Sequence, residues 1–257
     1  MSNHGMFTPN YIEFWENEYL KQIYHVLSID REKMLDGFKT KEQIRSDWEQ
    51  YLGQETSDFA VGSERIFYWL FNQFGQPNSS PIGSDMFFET YNAFVHIDIK
   101  TITTDNIGDI TKNVFVGNNQ NSYEGSIAVR GKEGRPYKGN LPPIYTKTNG
   151  AQKPCFTYFI SILYDKDGDI HMIHLSCMPN GILKDIYLSE PLDAGKNPGK
   201  IRFNYTQCNK FKLLGNQSRL KIILWNEQMP VEIYNRIKHI KELVSPEDIL
   251  LNEDHPL

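Results

Sequence analysis

No run of apolar residues in this sequence approaches the ~18 needed to span a bilayer, so no membrane partner is expected. Cysteine is scarce: Cys155, Cys177 and Cys208 are the only three in 257 residues. An odd count without a Cys-x-x-Cys spacing points to reduced thiols in a cytoplasm. The first twenty residues carry acids and no basic-then-apolar pattern, so no secretory leader is expected. A Walker loop, a dinucleotide-type glycine pattern and a Ser-His-Asp cue are all missing, and no nucleotide cofactor is expected. Positive charge is also short, with 27 Lys plus Arg against 32 Asp plus Glu for a net charge of -5. Taken alone, that balance argues against a nucleic-acid partner. What is present is a folding composition, 39% hydrophobic and 13% aromatic, which excludes intrinsic disorder.

The charge is unevenly spread. Residues 1–128 hold 9 basic and 18 acidic side chains, residues 129–224 hold 15 and 7, and residues 225–257 hold 3 and 7. A +8 block inside an acidic chain is the asymmetry expected of a polyanion-binding face, with a lysine-rich solvated surface as the alternative.

Helical spacing of apolar residues covers 10–27, 41–52 and 57–74. The Pro/Gly/Ser/Asn cluster at 75–84 is a loop. Two strand-like runs follow, Met86–Thr90 and Ala93–Ile102, joined by a tight polar turn. Residues 104–154 read as long functional loops with short extended pieces. Phe156–Tyr164 and Ile170–Cys177 are strands, Lys200–Thr206 and Ser218–Trp225 look like a further strand pair, and Val231–Leu243 is an amphipathic helix. The expected class is mixed α/β (α+β), in one domain with an N-terminal helical segment (1–54), a core (55–225) and a C-terminal helix with an acidic tail (226–257).

Asp165-Lys-Asp-Gly-Asp169 imitates a calcium loop, but Ser176 stands where the twelfth-position Glu belongs and strands flank it, so a hairpin turn is the better reading. His171 and His174 sit three apart on a strand, point to opposite faces and cannot share a metal.

One constellation differs. In Phe94-Val-His-Ile-Asp98-Ile-Lys100-Thr-Ile, an acid and a base interrupt an apolar strand and share one face, while Val95, Ile97 and Ile99 line the other. Burying such a pair is costly unless it is mutually satisfied or binds something. If the two strands form a hairpin around Tyr91-Asn92, Asp85 lies beside Asp98. Two carboxylates that close repel, and a divalent cation resolves the conflict; hard oxygen ligands select Mg²⁺ or Mn²⁺. The Ile99 carbonyl is a further candidate ligand, and Lys100 then sits beside a metal-bound water. An ordinary surface salt bridge is the alternative.

This strand resembles its counterpart in the PD-(D/E)xK nuclease superfamily, in the EcoRV-like branch of type II restriction endonucleases. A longer similarity, to BglI-like members, runs over roughly 55–225. It takes in Ala60-Val-Gly-Ser63, Asn119-Gln120, Leu141-Pro-Pro-Ile-Tyr145, Met178-Pro-Asn-Gly181 and the basic Arg219-x-Lys221. The resemblance implies a restriction-endonuclease-like core, a central mixed sheet flanked by helices. It also implies a homodimeric, Mg²⁺-dependent enzyme cutting double-stranded DNA at a two-fold-symmetric site. Asp85, Asp98 and Lys100 map to the active site, with Asp58 as the accessory helix acid and Glu64 as its fallback. DNA contacts map to Asp105, Asn106, Asn119, Gln120, Gln207, Asn209, Lys210, Arg219 and Lys221. Arg bidentate to guanine and Asn or Gln to adenine suit base reading. A structure-specific or repair nuclease on the same core and a catalytically silent DNA-binding module are the alternative functions.

Overall fold

A computed structural model describes residues 7–52, 59–73, 85–128, 134–195, 200–213 and 218–250. Helix α1 (Pro9–Ile29) starts where the Thr8 side chain accepts from the Tyr11 N–H at 3.2 Å, with Pro9 supplying a preset φ in the first turn. Its buried stripe runs Ile12, Glu16, Tyr19, Leu20, Ile23, Leu27, so a carboxylate sits among the apolar residues facing the core. Helices α2 (Arg31–Leu52) and α3 (Phe59–Leu70) follow.

Strands β1 (Met86–Glu89) and β2 (Phe94–Thr103) form the expected antiparallel hairpin, in register from Met86 opposite Ile97 to Glu89 opposite Phe94. The Thr90 N–H donates to the Ala93 carbonyl at 2.9 Å, and Tyr19 of α1 reaches across to Asn92 Oδ1 at 2.5 Å. The long segment after β2 carries β3 (Val114–Val116), β4 (Glu124–Ile127), β5 (Arg135–Lys138) and β6 (Ile144–Thr146). It then delivers β7 (Gln152–Tyr164) parallel to β2. β7 and β8 (Ile170–Met178) are almost continuously buried because both faces of the sheet are covered at this point. Asp165–Asp169 is their hairpin turn: Asp165 Oδ1 accepts from the N–H groups of Asp167 and Asp169, and Gly168 takes φ +89°.

A short helix α4 (Lys184–Tyr187) precedes β9 (Leu192–Ala194) and β10 (Ile201–Phe203), and β11 (Leu220–Trp225) leads into α5 (Val231–Lys241). The central sheet has the order β1-β2-β7-β8-β11, with β6 on the edge of β7. The three-stranded sheet β3-β10-β9 lies against it through Phe159–Phe203 (6.1 Å between ring centroids), and the turn after β10 through His174–Tyr205 (4.4 Å). α1 packs on the opposite face, where Tyr158 donates to the Glu16 carbonyl at 2.8 Å. Each fully buried aromatic here contributes about 1.5–3 kcal/mol by leaving water.

One expected pairing is corrected. The strands at 201–203 and 220–225 do not pair with each other: β10 joins β3 and β9, while β11 extends the central sheet beside β8. Their alternation signalled strands, but partner choice depended on which apolar face each had to cover. The described part of the acidic C-terminal segment lies against β11, with Ile249 bridging to Ile222; residues 251–257 lie outside the described residues.

Candidate active site

The site forms where β1 begins and β2 continues past it. One register step beyond Met86–Ile97, Asp85 stands opposite Asp98, and its Oδ2 accepts the Ile99 N–H at 2.6 Å. That bond shows which edge of β2 the Ile99 peptide faces, and strand geometry turns its carbonyl to the same edge. Asp98 is only 2% exposed. One of its oxygens accepts from Gln120 Nε2 at 2.5 Å and the other is ion-paired with Lys100. Lys100 Nζ also donates to Gln120 Oε1 at 3.0 Å and lies 5.6 Å above the Phe159 ring.

Burial raises the Asp98 carboxyl to about 6 against the pull of Lys100, with the negative charges of Asp85 and Glu64 pushing the same way as burial. The Asp85 carboxyl is raised too, mainly by burial, and opposed by the Ile99 N–H and by Lys100. Lys100 alone therefore leaves the acids undercompensated. Two carboxylates from adjacent strands and a peptide carbonyl on one edge form a hard-oxygen donor set that suits Mg²⁺ or Mn²⁺. Among the described residues no three His, Cys, Asp or Glu side chains converge as metal ligands.

Asp58 lies outside the described residues. Glu64 is on α3, exposed and within electrostatic reach of Asp98. Gln120, expected at DNA, is instead built into the acid–lysine cluster. Asn119 beside it is exposed and accepts from Asn140 Nδ2 at 2.9 Å.

Asp105 and Asn106 are exposed on the 3-10 turn that directly extends β2. Gln207 is half-buried, and Asn209 and Lys210 are exposed on the turn after β10. The two turns are stitched together: Thr206 Oγ1 donates to the Lys112 carbonyl at 2.9 Å, and Arg202 pairs with Asp109 at 2.6 Å.

Arg219 and Lys221 correct the expectation that they read bases. Arg219 is 1% exposed, its guanidinium 2.7 Å from Glu16 and 3.4 Å from Glu13, and 5.4 Å from the Tyr187 ring centroid. Lys221 is buried against Asp248 and the Tyr24 ring. A basic side chain on a strand covered by a helix must find its counter-charge inside. The positive middle block is partly spent in the same way: Lys147 and Lys153 both pair with Glu89, and Lys138 and Lys184 with Glu124.

The buried acids of α1 carried no signal of their own. Glu16 stands within the apolar stripe and Glu13 at its edge, and the cation that pairs with them lies some 200 residues on.

Residues 10–168 match the family described as "Type II restriction enzyme MwoI, N-terminal domain", and residues 170–225 match "Type II restriction enzyme MwoI, central domain". The first match takes in α1 and α2, which the similarity read from the sequence does not reach. No curated protein is detectably similar in sequence. Among solved structures, the restriction endonuclease BglI bound to its DNA recognition sequence superposes with a TM-score of 0.60 at 16% identity, over 75% of this chain and 85% of that one. Tetrameric restriction endonuclease SfiI bound to cognate DNA gives a TM-score of 0.60 at 14% identity, over 88% of this chain and 89% of that one. At these identities the likeness is one of fold: a central mixed sheet flanked by helices.

Proposed function

The chain belongs to the family of the type II restriction enzyme MwoI, site-specific deoxyribonucleases, and from that premise we propose that it acts as a homodimeric, Mg²⁺-dependent endonuclease. It cuts both strands of duplex DNA at a palindromic or interrupted-palindromic site and leaves 5′-phosphate ends. The observation that carries this reading is the meeting of Asp85, Asp98 and Lys100 where β1 begins beside β2. BglI and SfiI, which share the fold, are both seen on DNA, and this supports duplex DNA as the substrate. One such cluster per chain cuts one strand, so a two-strand cut calls for two copies related by the symmetry of the site.

Asp85, Asp98 and the Ile99 carbonyl hold the cation. Mg²⁺, when bound, supplies Lewis-acid polarisation of the scissile phosphate and a more acidic water. Lys100 orients the attacking water and stabilises the negative charge that develops on the phosphate oxygens. Water attacks phosphorus in line, the bond to the 3′ oxygen breaks, and a 5′-phosphate and a 3′-hydroxyl remain. Asp105, Asn106, Asn119, Gln207, Asn209 and Lys210, on the turns flanking the site, approach the DNA. Base reading falls to their amide and acid groups rather than to the last strand. Three free, buried thiols accord with a reducing cytoplasm, and among the described residues no helix is long and apolar enough to cross a membrane.

Digestion of DNA of known sequence in Mg²⁺, followed by sequencing of the ends, tests site, symmetry and end chemistry together. Asp98→Ala is expected to bind the same site and cut nothing, and Lys100→Ala to lose cleavage by roughly 10²–10⁴-fold. Cleavage by Asp98→Ala at the wild-type rate overturns the assignment.

A further inference from the structure

We propose that Gln120 is a positioning residue that locks the cation-free active site, clasping Asp98 and Lys100 until a divalent cation displaces its amide from the Asp98 carboxylate. The inference rests on the reading of Asp85 and Asp98 as cation ligands.

The Gln120 amide is used at both ends. Its Nε2 donates to Asp98 Oδ1 at 2.5 Å, and its Oε1 accepts from Lys100 Nζ at 3.0 Å and from the Gly117 N–H at 2.7 Å. Lys100 meanwhile pairs with the second oxygen of Asp98. In a carboxylate almost sealed from water, Oδ1 therefore accepts from Gln120 and Oδ2 is in ion-pair contact with Lys100, so a cation entering at Asp98 competes with both partners. The ammonium is a full charge in a poorly solvated site, while the amide is a neutral dipole, so the amide yields first.

The loop is built to let it yield. Asn121 Nδ2 donates to Tyr137 Oη at 2.7 Å and to the Gly117 carbonyl at 3.2 Å, and the Asn140 N–H donates to the Asn118 carbonyl at 2.8 Å. These anchors hold residues 117–121 without the bond from Gln120 Nε2 to Asp98, and the Gly117 N–H to Gln120 Oε1 bond adds to them. With Asp98 given over to the cation, the Gln120 carbonyl still offers Lys100 a neutral acceptor. The amine thus stays in place after losing its counter-charge.

Mn²⁺ binding by the full-length protein without DNA, followed by loss of the free-ion electron paramagnetic resonance signal, tests this without any cleavage step. Gln120→Met keeps the side-chain length and removes both amide functions. It is expected to bind Mn²⁺ roughly 10–100-fold more tightly, the scale of one hydrogen bond to a charged group. Gln120→Asn, one methylene shorter and unable to span Asp98 and Lys100, is expected to tighten binding likewise and serves if the Met variant fails to fold. Asp98→Ala is expected to lose the binding. Unchanged or weaker binding by the folded Gln120 variants, with Asp98→Ala still defective, overturns the lock and leaves the cation reading standing. Equal binding by wild type and Asp98→Ala overturns both.

Discussion

Replacing Arg219 by Ala separates two roles for that residue. Its guanidinium is buried between Glu13 and Glu16 of α1 and donates to Glu16 Oε2 at 2.7 Å. Each carboxylate keeps one oxygen on a backbone donor, Glu16 on the Asn180 N–H at 2.6 Å and Glu13 on the Leu213 N–H at 2.9 Å. Truncation therefore leaves two anchored, like-charged acids in the interior with no cation beside them. Breaking a buried pair in this way costs about 3–5 kcal/mol. For a chain of this size that lowers the melting temperature on the order of 10 °C.

The pH dependence has a definite sign. Burial already raises the Glu16 carboxyl, and Arg219 is the main influence opposing the rise. Without Arg219 the folded state holds that proton more tightly, so the deficit is largest above neutrality and shrinks as pH falls. Urea denaturation of wild type, Arg219→Ala and the double variant Arg219→Met with Glu16→Leu measures this, the double variant recovering part of the loss. If Arg219→Ala unfolds within about 1 kcal/mol of wild type yet loses sequence-specific DNA binding, the residue faces DNA and its placement in the core is wrong.

Burial holds His96 and His174 neutral, with both rings pulled down to about 3. Their unfolded counterparts take up protons below about 6.5. Stability from this pair is therefore complete above that value and falls steadily as pH drops from there toward 3; chemical denaturation at pH 7.5 and 5 should show the loss, and His174→Phe should reduce it. All three cysteines are buried, with Cys155 and Cys208 pushed up to about 12 by burial. A disulfide exchange reagent should label none of them in the native protein and all three in denaturant; fast native labelling of any one contradicts its placement.

Local pattern sufficed for the long central strands and for bringing Asp85, Asp98 and Lys100 together. A period-two strand interrupted by Asp98 and Lys100 states its own face, and a hairpin around Tyr91-Asn92 brings Asp85 opposite by simple counting, because strand geometry acts between neighbours in the chain. The runs at 156–164 and 170–177 likewise announced strands, and the fold then covers both of their faces. Long-range packing decided what local pattern could not. Arg219 has the chemistry of a base reader until α1, more than 200 positions earlier, folds two acids against it. Gln120 has the chemistry of an adenine reader until the crossover between β2 and β7 lays its loop on Asp98. A +8 segment looks like a phosphate-binding face until Glu89, Glu124 and Asp248 take up several of its lysines. The physical reason is common to all three. A charged or amide group carries the same chemistry wherever it lies in the chain, and whether it faces DNA or a buried counter-charge depends on what the fold places within about 4 Å of it.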